Sequence, residues 1–175
     1  LPAVRRRARQ HQIQAVVAPE GVGGRTEHQD TAAAFVAVAQ VIAAVVAMVR
    51  AASSRIVLAA EHDEIMQAIR VAAPEIPTSL ATGEVAAFIG ALHAGAPPTL
   101  PAGAVALQIP PSYEDIALVT AESVAAAHAL GAEIHVWTIN DVDEARALLD
   151  LGCDGIITDV PHVMAPLVAE RRARG

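Results

Sequence analysis

The chain has 175 residues, 54% of them hydrophobic and 18% charged, which is the length of one domain with ample apolar content for a core. Its net charge of -7 argues against a nucleic-acid face, and basic residues gather at the two ends (Arg5, Arg6, Arg7 and Arg9, then Arg171, Arg172 and Arg174), where they read as solvated tails. The single cysteine, Cys153, excludes an internal disulfide framework and accords with a cytoplasmic location, while aromatics at 2% leave the core to Ala, Val, Ile and Leu.

Residues 1–30 are rich in Arg, Gln, His and Gly and show no sustained period, which predicts an irregular or poorly ordered lead-in with one brief apolar cluster around residues 15–18. The first residue is Leu1 rather than Met, so a fragment or a processed or mis-started product is the expectation. Residues 31–50 predict an Ala/Val-rich helix. The apolar run 31–49 approaches the roughly 20 residues a bilayer needs. Alanine contributes little to insertion, however, and the Gln40 amide lies mid-run, so a helix packed against a barrel is preferred to a membrane anchor. The run also starts too far from the terminus for a secretory signal.

From Arg55 onward strands and helices alternate. Ile56–Ala60 reads as a strand, and His62 or Asp63 caps a helix that places Ile65, Ile69 and Ala72 on one face before Pro74 ends it. A short strand follows around residues 76–80. Thr82 then caps a helix with Val85, Phe88, Ile89 and Leu92 at helical spacing, closed by Gly95. The loop GAPPTLPAG interrupts the pattern, and VALQI over residues 105–109 forms the next strand, stopped by Pro110 and Pro111. Beyond the loop PPSYED, Thr120 caps a helix that Gly131 terminates. Residues 134–139 then give a β-branched, aromatic-bearing strand. Asp141 and Glu144 make a capping-box-like start to a helix that ends at Gly152, and a strand over residues 155–158 precedes a last helix with Pro161 at its first position. This alternation predicts an α/β fold with parallel strands.

The string HVWTIN, an acidic capped helix ending LLDLG, and DGIITD followed by proline together resemble the C-terminal end of glycerophosphodiester phosphodiesterases, which are hydrolases with a TIM-barrel fold. The likeness extends over residues 55–167 through RIVLAAEHDEIM, APEIPTS and ALQIPPSY. It implies a partial TIM barrel, the βα units of the C-terminal half, over residues 55–170 and preceded by the Ala-rich helix. It also implies a place in lipid metabolism, a small-molecule glycerophosphodiester as substrate, and hydrolysis to glycerol 3-phosphate and an alcohol with Ca2+ or Mg2+.

The family's catalytic motifs, a His-Arg-Gly strand end, a Glu-x-Asp strand, a His-Asp pair and a Glu-x-Lys strand, are absent in strand context. Glu61, His62 and Asp63 hold a His-Asp pair, but the residues after them match a later unit of the family and favour helix capping. Asp141, Asp143 and Glu144 suit a helix N-terminus without any metal. Glu20, Glu27, His28 and Asp30 show no metal-ligand spacing. His11, His93, His128, His135 and His162 have no identifiable partner.

No catalytic or metal-ligating residue is therefore assigned, and the expectation is a chain with little or no hydrolytic activity by itself. The resemblance implies a place in the substrate pocket for Trp137, whose other reading is a core aromatic. Gln108 and Asn140 lie at strand C-terminal ends, where TIM-barrel active faces form, although Asn140 could equally cap the helix. A half barrel also leaves an open sheet edge at Ile56–Ala60, which predicts self-association or cover by the Ala-rich helix. The competing readings are a non-catalytic binding or scaffold remnant and a membrane-anchored form through residues 31–49.

Overall fold

The computed structural model describes residues 13–17 and 27–174. In chain order the elements are β1 (Ile13–Val17), α1 (Glu27–Ala51), β2 (Ile56–Ala60), α2 (Asp63–Ala72), β3 (Thr78–Ser79), α3 (Thr82–His93), β4 (Ala104–Ile109), β5 (Ser112–Tyr113), β6 (Ile116–Ala117), α4 (Ala121–Ala129), β7 (Glu133–Val136), α5 (Val142–Leu151), β8 (Gly155–Ile156) and α6 (Pro161–Arg174). Six strands form one parallel sheet in the order β1-β2-β3-β4-β7-β8, and β5 and β6 form a separate antiparallel hairpin.

The helices cover one face of the sheet. Leu107 and Ile109 of β4, with Ile134 and Val136 of β7, point at Phe88 and Ile89 of α3, Val124 of α4, Ala145 and Leu148 of α5, and Met164 and Leu167 of α6. A second cluster joins Leu58 and Ala60 of β2 to Met66 and Ile69 of α2 and to Ile42 and Val46 of α1. Because strand side chains alternate between faces, Gln108, Glu133 and His135 lie on the opposite, inward side.

The sequence expectations need correction at the β1 end of this sheet and in the loop after β4. The stretch read as an irregular lead-in holds β1, whose five residues pair with β2 from Ile13 opposite Ile56 to Val17 opposite Ala60. The edge expected at Ile56–Ala60 is thereby covered, and the sheet ends instead at β1 and β8 among the described residues. The Ala-rich helix begins at Glu27, and it packs on β2 and α2 through Ile42 and Val46. Among the described residues no helix is long and apolar enough to cross a membrane. The tip PPSYED, expected as plain loop, folds into the β5–β6 hairpin.

Local chemistry explains the joints. Thr120 Oγ1 accepts from the Ser123 amide, and Asp141 Oδ1 accepts from the amides of Asp143 and Glu144, so both act as N-caps. Gly152 closes α5 at φ +112°, a left-handed conformation that favours glycine. Helix α3 departs from expectation, because Thr82 is its first residue and the cap position falls on Ala81, which has no side-chain acceptor. The Asp63 carboxylate at the start of α2 takes over, accepting from the amides of Gly83 at 3.1 Å and Glu84 at 3.2 Å. Neither His62 nor Asp63 caps α2 through its side chain.

Candidate functional site at the C-terminal strand ends

All strands of the main sheet run parallel, so their C-terminal ends share one edge, and the loops beyond them form one face. That face carries Glu61 and His62 after β2, the β5–β6 hairpin after β4, Trp137 and Asn140 after β7, and Thr158 and Asp159 after β8. Trp137 is 41% exposed, so it is not the core aromatic of its alternative reading. Its amide donates to the Ile109 carbonyl at 3.2 Å, which fixes it beside the end of β4. The chain's one tyrosine, Tyr113, is 64% exposed on the hairpin that follows that same strand.

Asn140 does not cap α5, a task Asp141 performs. Its Oδ1 accepts from Thr158 Oγ1 and the Asp159 amide, each at 3.0 Å, and its Nδ2 donates to Asp159 Oδ2 at 3.0 Å. One carboxamide thus ties the loop after β7 to the loop after β8.

Gln108 lies on the inward face and approaches His135 of the neighbouring strand, with Nε2 3.3 Å from Nδ1, in keeping with the register that pairs these residues. The other ring nitrogen of His135 lies 3.0 Å from Glu133 Oε2. His135, read from sequence as having no partner, is therefore buried and bonded at both nitrogens. His128 likewise has a partner, with Nε2 2.8 Å from Asp154 Oδ2. The signal available in the sequence was the period of two that sets Glu133 and His135 on one face and Ile134 and Val136 on the other.

The profile of the Glycerophosphoryl diester phosphodiesterase family matches residues 8–163. The chain belongs to this family. It is 27% identical over 108 residues to "Probable glycerophosphodiester phosphodiesterase 2" of Mycobacterium tuberculosis, an alignment covering 60% of this chain and 41% of that protein. A solved structure from Silicibacter pomeroyi, assigned as a glycerophosphoryl diester phosphodiesterase, aligns with a TM-score of 0.50 at 28% identity and covers 71% of this chain and 42% of that one. The glycerophosphodiester phosphodiesterase of Parabacteroides distasonis aligns with a TM-score of 0.55 at 18% identity, over 78% of this chain and 53% of that one, and bears on fold alone. A phosphodiesterase of Oleispira antarctica, solved in complex with the product sn-glycerol-3-phosphate, gives a TM-score of 0.53 at 18% identity, over 75% and 50% of the respective chains. The chain thus spans about half the length of these relatives, and its parallel sheet is a partial TIM barrel of the kind found in glycerophosphodiester phosphodiesterases.

The family is generally metal-dependent. Among the described residues, no three His, Cys, Asp or Glu side chains gather closely enough to hold a cation. Asp63 and Asp141 instead spend their carboxylates on helix amides. Burial, with Asp154 nearby, pushes the Cys153 thiol up to about 11, which disfavours its thiolate.

Proposed function

We propose that this chain is the substrate-holding, C-terminal part of a glycerophosphodiester phosphodiesterase, and that it has little or no hydrolytic activity by itself. Its ligand would be a small glycerophosphodiester or the sn-glycerol 3-phosphate that hydrolysis releases, with Trp137 and Gln108 at the pocket and Asn140 bracing it. The observation that supports this reading is the placement of Gln108 on β4, of Trp137 and Asn140 just after β7, and of the Asn140-tied loop after β8, toward the C-terminal ends of adjacent strands in a sheet of this family. Cleavage of a phosphodiester needs positive charge on the phosphoryl oxygens, together with an acid and a base for the leaving and attacking oxygens. The family's motifs for those tasks are absent from the sequence in strand context, and the His62–Asp63 pair after β2 reads as a helix start. Lipid metabolism and a cytoplasmic location go with this reading.

The test combines two assays on the purified chain. Glycerophosphocholine with Ca2+ or Mg2+ should be left intact, and metal-dependent turnover would overturn the claim of inactivity. Calorimetric titration with sn-glycerol 3-phosphate should give saturable binding, and no binding would overturn the pocket. A sheet that ends at β1 and β8 among the described residues further supports self-association, with light scattering as the measurement and a sharp monomer as the contrary result.

A further inference from the structure

We infer that His135, held by Glu133, sets the orientation of the Gln108 carboxamide on the inward face of the sheet. The inference rests on the pocket reading above for its functional consequence, but its geometry stands separately. Three strands build the unit. Glu133 and His135 lie two residues apart on β7, Gln108 faces His135 from β4, and Gly155 faces it from β8. The ring packs so closely on Gly155 that a β-carbon there would lie 2.9 Å from His135 Cδ2, so glycine is what leaves the ring its seat.

The direction of each hydrogen bond follows from the chemistry of the groups. An ionised carboxylate can only accept, so the ring nitrogen 3.0 Å from Glu133 Oε2, Nε2, carries the proton. In the neutral ring Nδ1 then holds a lone pair and must accept, so Gln108 presents its NH2 to the ring and its carbonyl oxygen is held on the side away from it. With the ring neutral, reversing either bond leaves two acceptors or two donors facing one another.

The position of the unit gives it a purpose. The His135 side chain is only 8% exposed, and a polar ring in the middle of a parallel sheet is an expensive occupant compared with an apolar ring of the same size. What an apolar ring cannot do is fix an amide. His135 lies two residues before Trp137, which follows the end of β7, so the oriented amide sits one step below the strand end that carries the exposed indole. His135 and Glu133 are in this sense positioning residues, acting through Gln108.

The experiment uses the full chain, labelled with 15N. Ring nitrogen shifts should show Nε2 protonated and Nδ1 bare, and the Gln108 side-chain amide signals should move in His135→Phe. In calorimetric titration with sn-glycerol 3-phosphate, His135→Phe should weaken binding about tenfold in the wild-type background and hardly at all in Gln108→Ala, because the histidine acts only through that amide. Glu133→Gln, which keeps an acceptor for Nε2, should restore most of the affinity lost in Glu133→Ala. If His135→Phe fails to fold, the Glu133 pair gives the same reading with the ring in place. A ring protonated on Nδ1, or losses that simply add in the double variant, overturns the inference. A chain that binds no sn-glycerol 3-phosphate but shows the expected ring and amide signals counts against the pocket reading and for the orientation.

Discussion

Replacing Arg70 by methionine tests the contact that holds the α2–α3 pair to the sheet. Its guanidinium donates from Nε to Thr78 Oγ1 at 2.9 Å, from Nη2 to the Ser79 carbonyl at 2.9 Å, and from both Nη atoms to the Glu84 carboxylate. The two side chains of the ion pair are only 12% and 19% exposed, so removing the arginine strands a partly buried carboxylate. Breaking a buried pair from one side costs about 3–5 kcal/mol. The lower end, about 3 kcal/mol, is the expectation here, because Glu84 keeps its bond from the Ala81 amide and Thr78 keeps the Gly103 carbonyl. Urea unfolding near neutral pH should show that loss at unchanged m-value, and Arg70→Met with Glu84→Gln should cost less than the sum of the two single changes. A pH series adds a second check. Burial works against ionisation of Glu84, but its hydrogen bonds from Arg70 and from the Ala81 amide outweigh that and hold its carboxyl below the ordinary 4.5. A folded-state value below the unfolded one means the stabilisation is fully present above about 4.5 and is lost as pH falls through the folded value. In Arg70→Met burial acts with less opposition, so the acid loss of stability should flatten. A cost under about 1 kcal/mol, the range of surface pairs, together with an unchanged acid limb, would refute the reasoning.

The Asp63 cap predicts that Gly83→Ala destabilises although alanine is the better helix former, since the new β-carbon would collide with Asp63 Oδ2. The expected cost is about 1 kcal/mol by thermal unfolding, and in an Asp63→Ala background the same change should become neutral or stabilising. Trp137→Ala should weaken binding of sn-glycerol 3-phosphate about tenfold in calorimetry and shift stability by less than about 1 kcal/mol, because the residue is 41% exposed and belongs to neither core cluster. A large stability loss there would return the residue to its core reading. Cys153, with its thiol raised to about 11, should react slowly with an aromatic disulfide reagent near pH 8 in the folded chain and quickly in urea.

Most of the elements were legible in the sequence because their causes are local. Ile56–Ala60 is an uninterrupted apolar run, and the strand has those bounds. Asp141 and Gly152 bracket α5 with a cap and a stop that act within one turn. What the sequence hid depends on partners far along the chain. The residues of β1 are a short apolar group in polar surroundings, and only pairing along β2 makes them a strand. The hairpin strands are two residues each, too short for a period to show, with Glu114 at φ +50° between them. Asp63 caps a helix whose amides lie 20 and 21 residues away, and His135 meets Gln108 across 27. Such links follow from strand register and helix docking, neither of which a local pattern encodes. Glu133 beside His135 is the exception, since a separation of two in a strand already places both on one face.

Asn140 shows how the geometry refines a candidate that the sequence could only nominate. A carboxamide offers two acceptor sites on oxygen and two donors on nitrogen. Three of these four are engaged with Thr158 and Asp159. Little remains with which to contact a ligand directly, so in the proposed pocket its contribution is to hold the loops after β7 and β8 in one arrangement. Trp137 precedes Asn140 by three residues and is tied at its own amide to Ile109, so the indole is located by β4 on one side and, through Asn140, by the β8 loop on the other. The same logic runs through Gln108, whose orientation comes from β7. Each proposed contact residue is thus positioned by a strand other than its own, and the binding face depends on the β4-β7-β8 register as a whole.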